Sequence, residues 1–492
     1  MYILSKYGLA FHLALLCAVS VFLASFPSGN SGVAAVLCLC AIAWEWAVVE
    51  PSVRLKETRS DARRRTFEEI AKDPVFWILA ASLAFSLVRW LNAGVEFVYS
   101  VRAARWAVEG PRWEGMPTAV DAASGARWFA IAATLATAVP IARHALGAKA
   151  RTAFSLCLAF IAGICGWVAV AFACAGSPIA RDAALADMFS SPSYGVSFGL
   201  CALLGMAGAQ SAAEYRWKAA PYMAGIGLSG CMACAAVFSP PQASYVLAGV
   251  FAVPALYAMF RCGSSVSLVS FVRAFIVATV SAGAVFVALF SVPGAAAAKL
   301  EQSASKAAEM DAAAKAAVSG ISSGLWKNGR DRWTGCGDGA FGVRAKEYVA
   351  GLQDGAERNR LWKPLPVDIE RTRPAGFFAG FTLEHGIIGL MFLIAVAVVI
   401  AAEWCFRAVK AFAGYERKQE DPPAIMGFSS IAFVFPFALA AFVLCSRYGM
   451  MGECAALVPL ALSCCISAGS FPKSKKKAAV KATYEEKEVS NG

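Results

Sequence analysis

The chain has 492 residues, of which 59% are hydrophobic and 16% are charged, and its formal net charge is +12. Soluble domains are roughly half apolar and a quarter charged, so this composition excludes a soluble globule, a disordered chain and a coiled coil. In a chain this apolar, positive charge is typical of segments that flank membrane spans, and we expect no nucleic-acid partner.

About twelve stretches are long and apolar enough to cross a bilayer as helices, which takes about 20 residues each. In chain order they are 8–26, 33–50, 75–93, 127–145, 153–175, 195–212, 219–238, 242–260, 271–293, 377–402, 425–445 and 453–470. The sequence therefore predicts an all-α polytopic membrane protein with about 12 transmembrane helices. No clear cleavage site follows the first stretch, so it is interpreted as a retained helix and not as a signal peptide.

Lysine and arginine are concentrated in alternate connections between these spans. The richest are 51–74, with Arg63 to Arg65, and the basic tail 471–492. Because positive charge marks the cytoplasmic side, both termini are predicted to be cytoplasmic. The basic segments are interpreted as orientation anchors in contact with membrane lipids.

One outer connection is far longer than the others. It covers 294–376, between the membrane helices of 1–293 and those of 377–470. The alanine-rich start, Ala295 to Ser319, predicts a helix ended by Gly320. The remainder mixes aromatic residues with arginines, and we expect a small ordered cap over the outer face.

A cluster of glycines and arginines lies inside this outer loop. Arg330, Arg332 and Trp333 precede the alternating glycines Gly335, Gly337 and Gly339. Closely spaced glycines let a backbone approach a ligand, and arginines offer paired donors to phosphate. A tight glycine turn with solvated arginines is the alternative interpretation. A nucleotide-binding loop is disfavoured because no Gly-Lys-Ser/Thr follows.

The second informative stretch opens the tenth span. Glu384 lies about 10 Å along the helix from Phe377, and an ionisable group at such depth favours a functional role. A carboxylate paired with a neighbouring arginine is the alternative. Gly386 and Gly389 allow close helix approach. His385 faces another side of the helix, and we interpret it as a packed core residue.

These features together resemble the bacterial O-antigen ligase and polymerase superfamily. The resemblance rests on the long outer loop between spans nine and ten, the Arg-Trp-Thr-Gly-Cys-Gly-Asp-Gly-Ala-Phe stretch at 332–341 and the Glu-x-Gly-x-x-Gly motif at 384–389. It implies a glycosyltransferase in the bacterial inner membrane. Such an enzyme transfers or polymerises glycan from undecaprenyl pyrophosphate onto a lipid or glycan acceptor on the periplasmic side.

The resemblance also implies roles for individual residues. Glu384 is the candidate base, and the candidate substrate-binding residues are Arg330, Arg332, Arg371, Arg373, Arg89, Arg127, Gly335, Gly337 and Gly339. Arginines that stabilise the departing pyrophosphate need no metal and no cofactor. The chain departs from the superfamily at Ala375-Gly376, where ligases carry a His-Asn pair.

Two other functions stay open at this stage. Twelve spans with both ends inside are also typical of transporters and lipid flippases, although we see no internal repeat or broken helix in the sequence. The missing histidine leaves room for a non-catalytic member of the superfamily that binds lipid-linked glycan.

Overall fold

In a computed structural model, the described residues form a mainly helical structure with one short hairpin. They are 8–23, 29–55, 59–94, 96–100, 105–109, 113, 116–120, 122–174, single positions within 200–231, 305–328, 332–337, 339, 341–363 and 377–416. The predicted spans 242–260, 271–293, 425–445 and 453–470, the tail 471–492 and the His-Asn position 375–376 lie outside these residues. The helices are α1 Gly8–Leu23, α2 Gly29–Leu55, α3 Arg59–Ala71, α4 Pro74–Leu91, α5 Ala122–His144, α6 Ala148–Cys174, α7 Ser305–Asn328, α8 Phe341–Gly351, α9 Gly355–Trp362 and α10 Phe377–Glu416.

Four of the described helices are long and apolar enough to cross a membrane. These candidate spans are Pro74–Leu91, Ala122–His144, Lys149–Val168 and Phe378–Arg407. Each overlaps a predicted span, so the membrane character of the chain is confirmed. The count of about twelve stays a prediction.

A β-hairpin occupies part of the outer connection between α4 and α5. Strand β1, Glu96–Ser100, pairs antiparallel with β2, Arg105–Glu109, and Glu96 lies opposite Glu109. Both strands are rich in β-branched and aromatic residues, which suit strands. The hairpin contacts α8. The all-helical prediction did not include it, because the search for 20-residue apolar stretches does not register strands of five residues.

The largest buried cluster joins α1, α2, α5 and α6. Helix α5 is covered on nearly all sides, and its buried residues include the alanines Ala126, Ala130, Ala138 and Ala142. Small residues let helix backbones approach closely in a membrane, where packing and not water exclusion drives association. Gly125 shows this directly, because a Cβ there would lie 2.8 Å from the Cα of Trp90 on α4.

A polar cluster ties α4, α5 and α10 together at one end. Asp73 caps α4 by accepting from the N–H of Val75 at 3.0 Å, and it also binds Arg143 at 2.7 Å and His144 at 2.8 Å. Arg143 in turn contacts Glu403 at 2.6 Å. The connections that hold these residues were all predicted to lie on the cytoplasmic side. Their meeting in one cluster agrees with a common side for the three connections.

The outer loop contains a small helical unit, which we call the cap and define as α7, α8 and α9. Its members bury a common apolar core of Ala317, Val318, Ile321, Phe341, Ala345, Val349 and Leu361, to which α10 adds Leu383. The predicted end of the first helix at Gly320 is wrong, because α7 runs from Ser305 through Gly320 to Asn328. Tertiary packing explains the difference. A Cβ at Gly320 would lie 3.2 Å from the Leu361 side chain, so glycine permits close contact between α7 and α9.

Replacing Asp73 tests the polar cluster. Burial raises the pKa of Asp73, but hydrogen bonds from His144 and Arg143 outweigh it and lower the pKa to about 2. Asp73→Asn keeps a side chain that caps helices but removes the negative charge. We expect the free energy of unfolding of the variant to be about 3 kcal/mol lower than that of the wild type. The wild type should lose about 2.5 kcal/mol of this stabilisation as the pH falls from about 4, the ordinary aspartate pKa, through about 2. Thermal unfolding in detergent measures both effects.

The control for this variant is Glu357→Gln, which removes an exposed carboxylate from the cap. An Asp73→Asn protein that unfolds like the control would contradict the role given to the cluster.

Thiol labelling tests the predicted orientation. Cys336 is half-buried and makes a poor reporter, whereas Ser323 on α7 and Glu69 on α3 are exposed. A membrane-impermeant thiol reagent should label Ser323→Cys in intact spheroplasts and should label Glu69→Cys only after permeabilisation. The reverse pattern would place the cap in the cytoplasm.

Candidate functional site

The candidate site forms where α10 is interrupted. Gly386 has φ 69° and ψ −172°, which breaks α10 into a short segment, 377–385, and a long segment, 387–416. Residues 332–339, which we call the glycine loop, lie in this break. The backbone N–H groups of Cys336 and Gly337 donate to the carbonyls of Leu383 and Glu384, at 2.8 and 3.2 Å.

Helix α10 also donates backbone hydrogen bonds to the glycine loop. In the long segment, the N–H groups of Ile387 and Ile388 donate to the carbonyls of Arg332 and Trp333, both at 3.1 Å. A broken helix leaves carbonyls at the end of one segment and N–H groups at the start of the next without helical partners. The glycine loop supplies both kinds of partner, so two carbonyls and two N–H groups at the break are satisfied by protein backbone.

Two glycines make this contact possible. A Cβ on Gly335 would overlap the Glu384 carbonyl oxygen, and a Cβ on Gly386 would overlap that of Trp333. Gly335 also has φ 81°, in the left-handed region that favours glycine. These positions therefore serve backbone packing, as in the glycine-turn interpretation.

The remaining loop glycines also lie against protein. Gly337 faces Thr118, and Gly339 faces Ser124. The N–H of Gly337, a predicted substrate-binding residue, is already bonded to the Glu384 carbonyl. Substrate contact by Gly335, Gly337 and Gly339 stays a prediction.

Arg89, near the end of α4, is the central side chain of the site. It is 1% exposed. Its Nε donates to the Thr118 carbonyl at 3.0 Å, and its two Nη atoms donate to the Glu384 carbonyl and to Nδ1 of His385. A cation at the carbonyl end of a helix interacts favourably with the helix dipole.

This geometry bears on the substrate role predicted for Arg89. Its guanidinium is directed at acceptors within the protein and holds α4 against the short segment of α10. Contact with a pyrophosphate would require these bonds to open, and it stays a prediction.

His385 is a packed residue next to Glu384. Arginine only donates, so Nδ1 of His385 is the acceptor and carries no proton. The imidazole ring packs on Trp128 and Phe381, with ring centroids 4.0 and 4.3 Å away, and the residue is buried. The interpretation of His385 as a core residue agrees with this arrangement.

The other predicted site residues differ in exposure. Glu384 is half-buried, and its role as base stays a prediction. Arg332 is exposed, with its guanidinium 5.2 Å above the Trp326 ring. Arg127 is half-buried beside Trp128, and its buried Nε has no hydrogen-bond partner among the described residues. Arg330, Arg371 and Arg373 lie outside the described residues.

Sequence reasoning missed the residues that hold the connection after α4. Asn92 is fully buried, donates to the carbonyls of Trp113 and Pro117, both at 3.1 Å, and accepts from the N–H of Trp113 at 2.8 Å. These bonds bring Thr118 to Arg89. An asparagine directly after an apolar helix is a recognised end signal, so Asn92 was detectable as a cap, but its partners were not.

Within the described residues, no group of three or more His, Cys, Asp or Glu side chains is arranged to hold a metal ion. Comparison of the chain with known protein families and with curated proteins gives no match. Any function for the site is therefore argued from its geometry and from the sequence resemblance.

Gly335→Ala tests the interlock between the glycine loop and α10. A methyl group there would overlap the Glu384 carbonyl and sit on a left-handed backbone, and each effect costs about 1–3 kcal/mol. We expect a lower unfolding temperature in detergent and less protein in the membrane. Gly351→Ala is the matched control, because a Cβ at Gly351 meets nothing within 4 Å. Equal stability of the two variants would show that the loop does not pack as described.

Proposed function

We propose that the chain is a membrane glycosyltransferase of surface-polysaccharide assembly. It would transfer or polymerise glycan from undecaprenyl pyrophosphate on the periplasmic side. One observation carries the proposal. Two motifs carry the resemblance, one at 332–341 that includes the glycine loop and the Glu-x-Gly-x-x-Gly motif at 384–389. They are far apart in sequence, but they interlock through four backbone hydrogen bonds.

The described arginines divide into two roles in this proposal. Arg89 is bonded inside the protein and positions the short segment that carries Glu384. Arg332, with its exposed guanidinium, is the better placed to meet an anionic substrate. Arg127 is the second candidate, because its Nε has no hydrogen-bond partner among the described residues.

The proposed reaction needs one base and one cationic site. The acceptor hydroxyl attacks the anomeric carbon of the donor sugar and gives its proton to Glu384. The bond between that carbon and the pyrophosphate oxygen breaks, and undecaprenyl pyrophosphate leaves with the bonding electrons. Arg332 and Arg127 stabilise the negative charge that develops on it.

A transporter is the second candidate, because α10 is a broken helix, which the sequence alone did not reveal. In many secondary carriers the free ends of such broken helices bind substrate or ions. Here the glycine loop already bonds both ends of the break. This favours a structural break over a substrate site, so we rank the transporter second.

Glycan transfer by Arg332 and Glu384 variants tests the proposal. Arg332→Ala should lose about ten- to a hundredfold in donor use, the effect of removing one charge-assisted hydrogen bond. Arg332→Lys should recover only part of it, since lysine lacks the planar fork. Glu384→Gln should abolish transfer. Membrane expression should change little, because the Arg332 side chain is exposed and its backbone bond is retained.

Arg358→Ala on α9, also an exposed arginine of the outer loop, is the control and should transfer normally. Normal transfer by well-expressed Arg332→Ala would remove Arg332 from the donor site. The transporter alternative makes the opposite prediction, in which Arg332 variants are silent and changes at Glu384 or Arg89 abolish uptake.

A further inference from the structure

The break in α10 has a definite depth relative to the membrane. From Ile387 to Arg407 the long segment is about 30 Å at about 1.5 Å per residue, which is the thickness of the hydrocarbon core. At its far end Arg407 pairs with Glu403, which belongs to the polar cluster around Asp73. The long segment alone therefore spans the apolar layer.

Helix α4 gives an independent measure of the same depth. Asp73, in the polar cluster, and Arg89, at the break, are separated by about 24 Å along the helix. The first measure places the break at the outer boundary of the hydrocarbon core, and the second places Arg89 within about 6 Å of that boundary. The glycine loop, bonded to Ile387 and Ile388, therefore reaches this boundary and does not lie well outside the membrane.

Two neighbouring side chains of the loop project from this boundary. Trp333 is 64% exposed, and Arg332 beside it is exposed as well. Their carbonyls are bonded to α10, so the backbone holds both side chains at a fixed level. The Trp326 ring lies against the Arg332 guanidinium, a cation–π contact that favours one orientation of the fork.

An exposed tryptophan at this level has a specific physical preference. Indole is enriched at the membrane–water interface, because its apolar body contacts chains and its N–H reaches headgroups. Guanidinium binds phosphate through paired donors. An adjacent indole and guanidinium at the boundary match a molecule with a diphosphate joined directly to an apolar chain.

We infer that Trp333 and Arg332 form the docking point at which a lipid diphosphate of the outer leaflet reaches the site. Trp333 contacts the first units of the lipid chain, and Arg332 binds the diphosphate. The identity of the lipid as undecaprenyl diphosphate rests on the proposed function. Trp333 is thus a binding residue for the lipid and takes no part in proton transfer.

Binding measurements on the full-length protein in phosphatidylcholine nanodiscs test the inference. Trp333→Ala should weaken undecaprenyl diphosphate binding about tenfold, the effect expected from losing a large apolar contact, and Trp333→Phe should retain most of it. Trp333→Ala should leave inorganic pyrophosphate binding unchanged, whereas Arg332→Ala should weaken both ligands. Trp362→Ala is the matched control, because Trp362 is 49% exposed but lies on the cap.

Two binding results would overturn the inference. One is undecaprenyl diphosphate binding by Trp333→Ala that equals that of Trp362→Ala. The other is an equal loss of binding to a lipid-free oligosaccharide, which would make Trp333 a sugar-stacking residue. A glycan-transfer assay on the same nanodiscs separates this inference from the proposed function. Lipid binding that depends on Trp333, without any glycan transfer, would contradict the proposed enzyme but support the docking point. Transfer that Trp333→Ala leaves unchanged would support the enzyme but contradict the docking point.

Discussion

The part of the described structure that contains the cap depends on the interruption of α10 at Gly386. A helix that ends at the edge of a membrane exposes carbonyls, and one that starts there exposes N–H groups. Each unsatisfied group is costly where water is scarce. The glycine loop satisfies both sets at once, and Arg89 adds charged donors to the carbonyl end. This one exchange fixes the loop against α10, next to Glu384 and beside the cap that packs on Leu383.

Arg89 is costly to bury, and its environment explains why the arrangement is stable. The guanidinium has acceptors from three parts of the chain: Thr118, Glu384 and His385. The Phe85 ring lies 5.5 Å from it and adds a cation–π contact. A buried cation with all these partners specifies one arrangement of its neighbours, because losing any of them leaves charge unsatisfied in an apolar layer.

The polar clusters at the two ends of α4 have different consequences. At the Asp73 end, carboxylates meet arginines and a histidine, and the cluster holds the start of α4 and the end of α5 against α10. At the Arg89 end, a cation meets the carbonyls of Thr118 and Glu384 and Nδ1 of His385. Arg332 and Trp333, on the other side of the break, have exposed side chains on a backbone bonded to α10.

Several features followed from the sequence alone because they depend on local composition. The membrane class and the approximate bounds of α4, α5, α6 and α10 come from runs of apolar residues, which any bilayer requires to be about 20 residues long. The two motifs at 332–341 and 384–389 could be recognised from their residue types and their order along the chain. Asn92, which sequence reasoning missed, stands directly after an apolar helix and was detectable there as an end signal.

The contact between the two motifs was decided only by the tertiary structure. The glycines could have cradled a ligand or served a turn, and only the crossing of two backbones at Gly335 and Gly386 showed why side chains are excluded there. The burial of Arg89 depends on His385 and Thr118, which lie far from it in sequence, and the hairpin depends on pairing across its own turn. Such contacts leave no periodic trace in a sequence. Composition therefore determined that this chain enters a membrane, and long-range packing determined which of its arginines is structural and which faces outward.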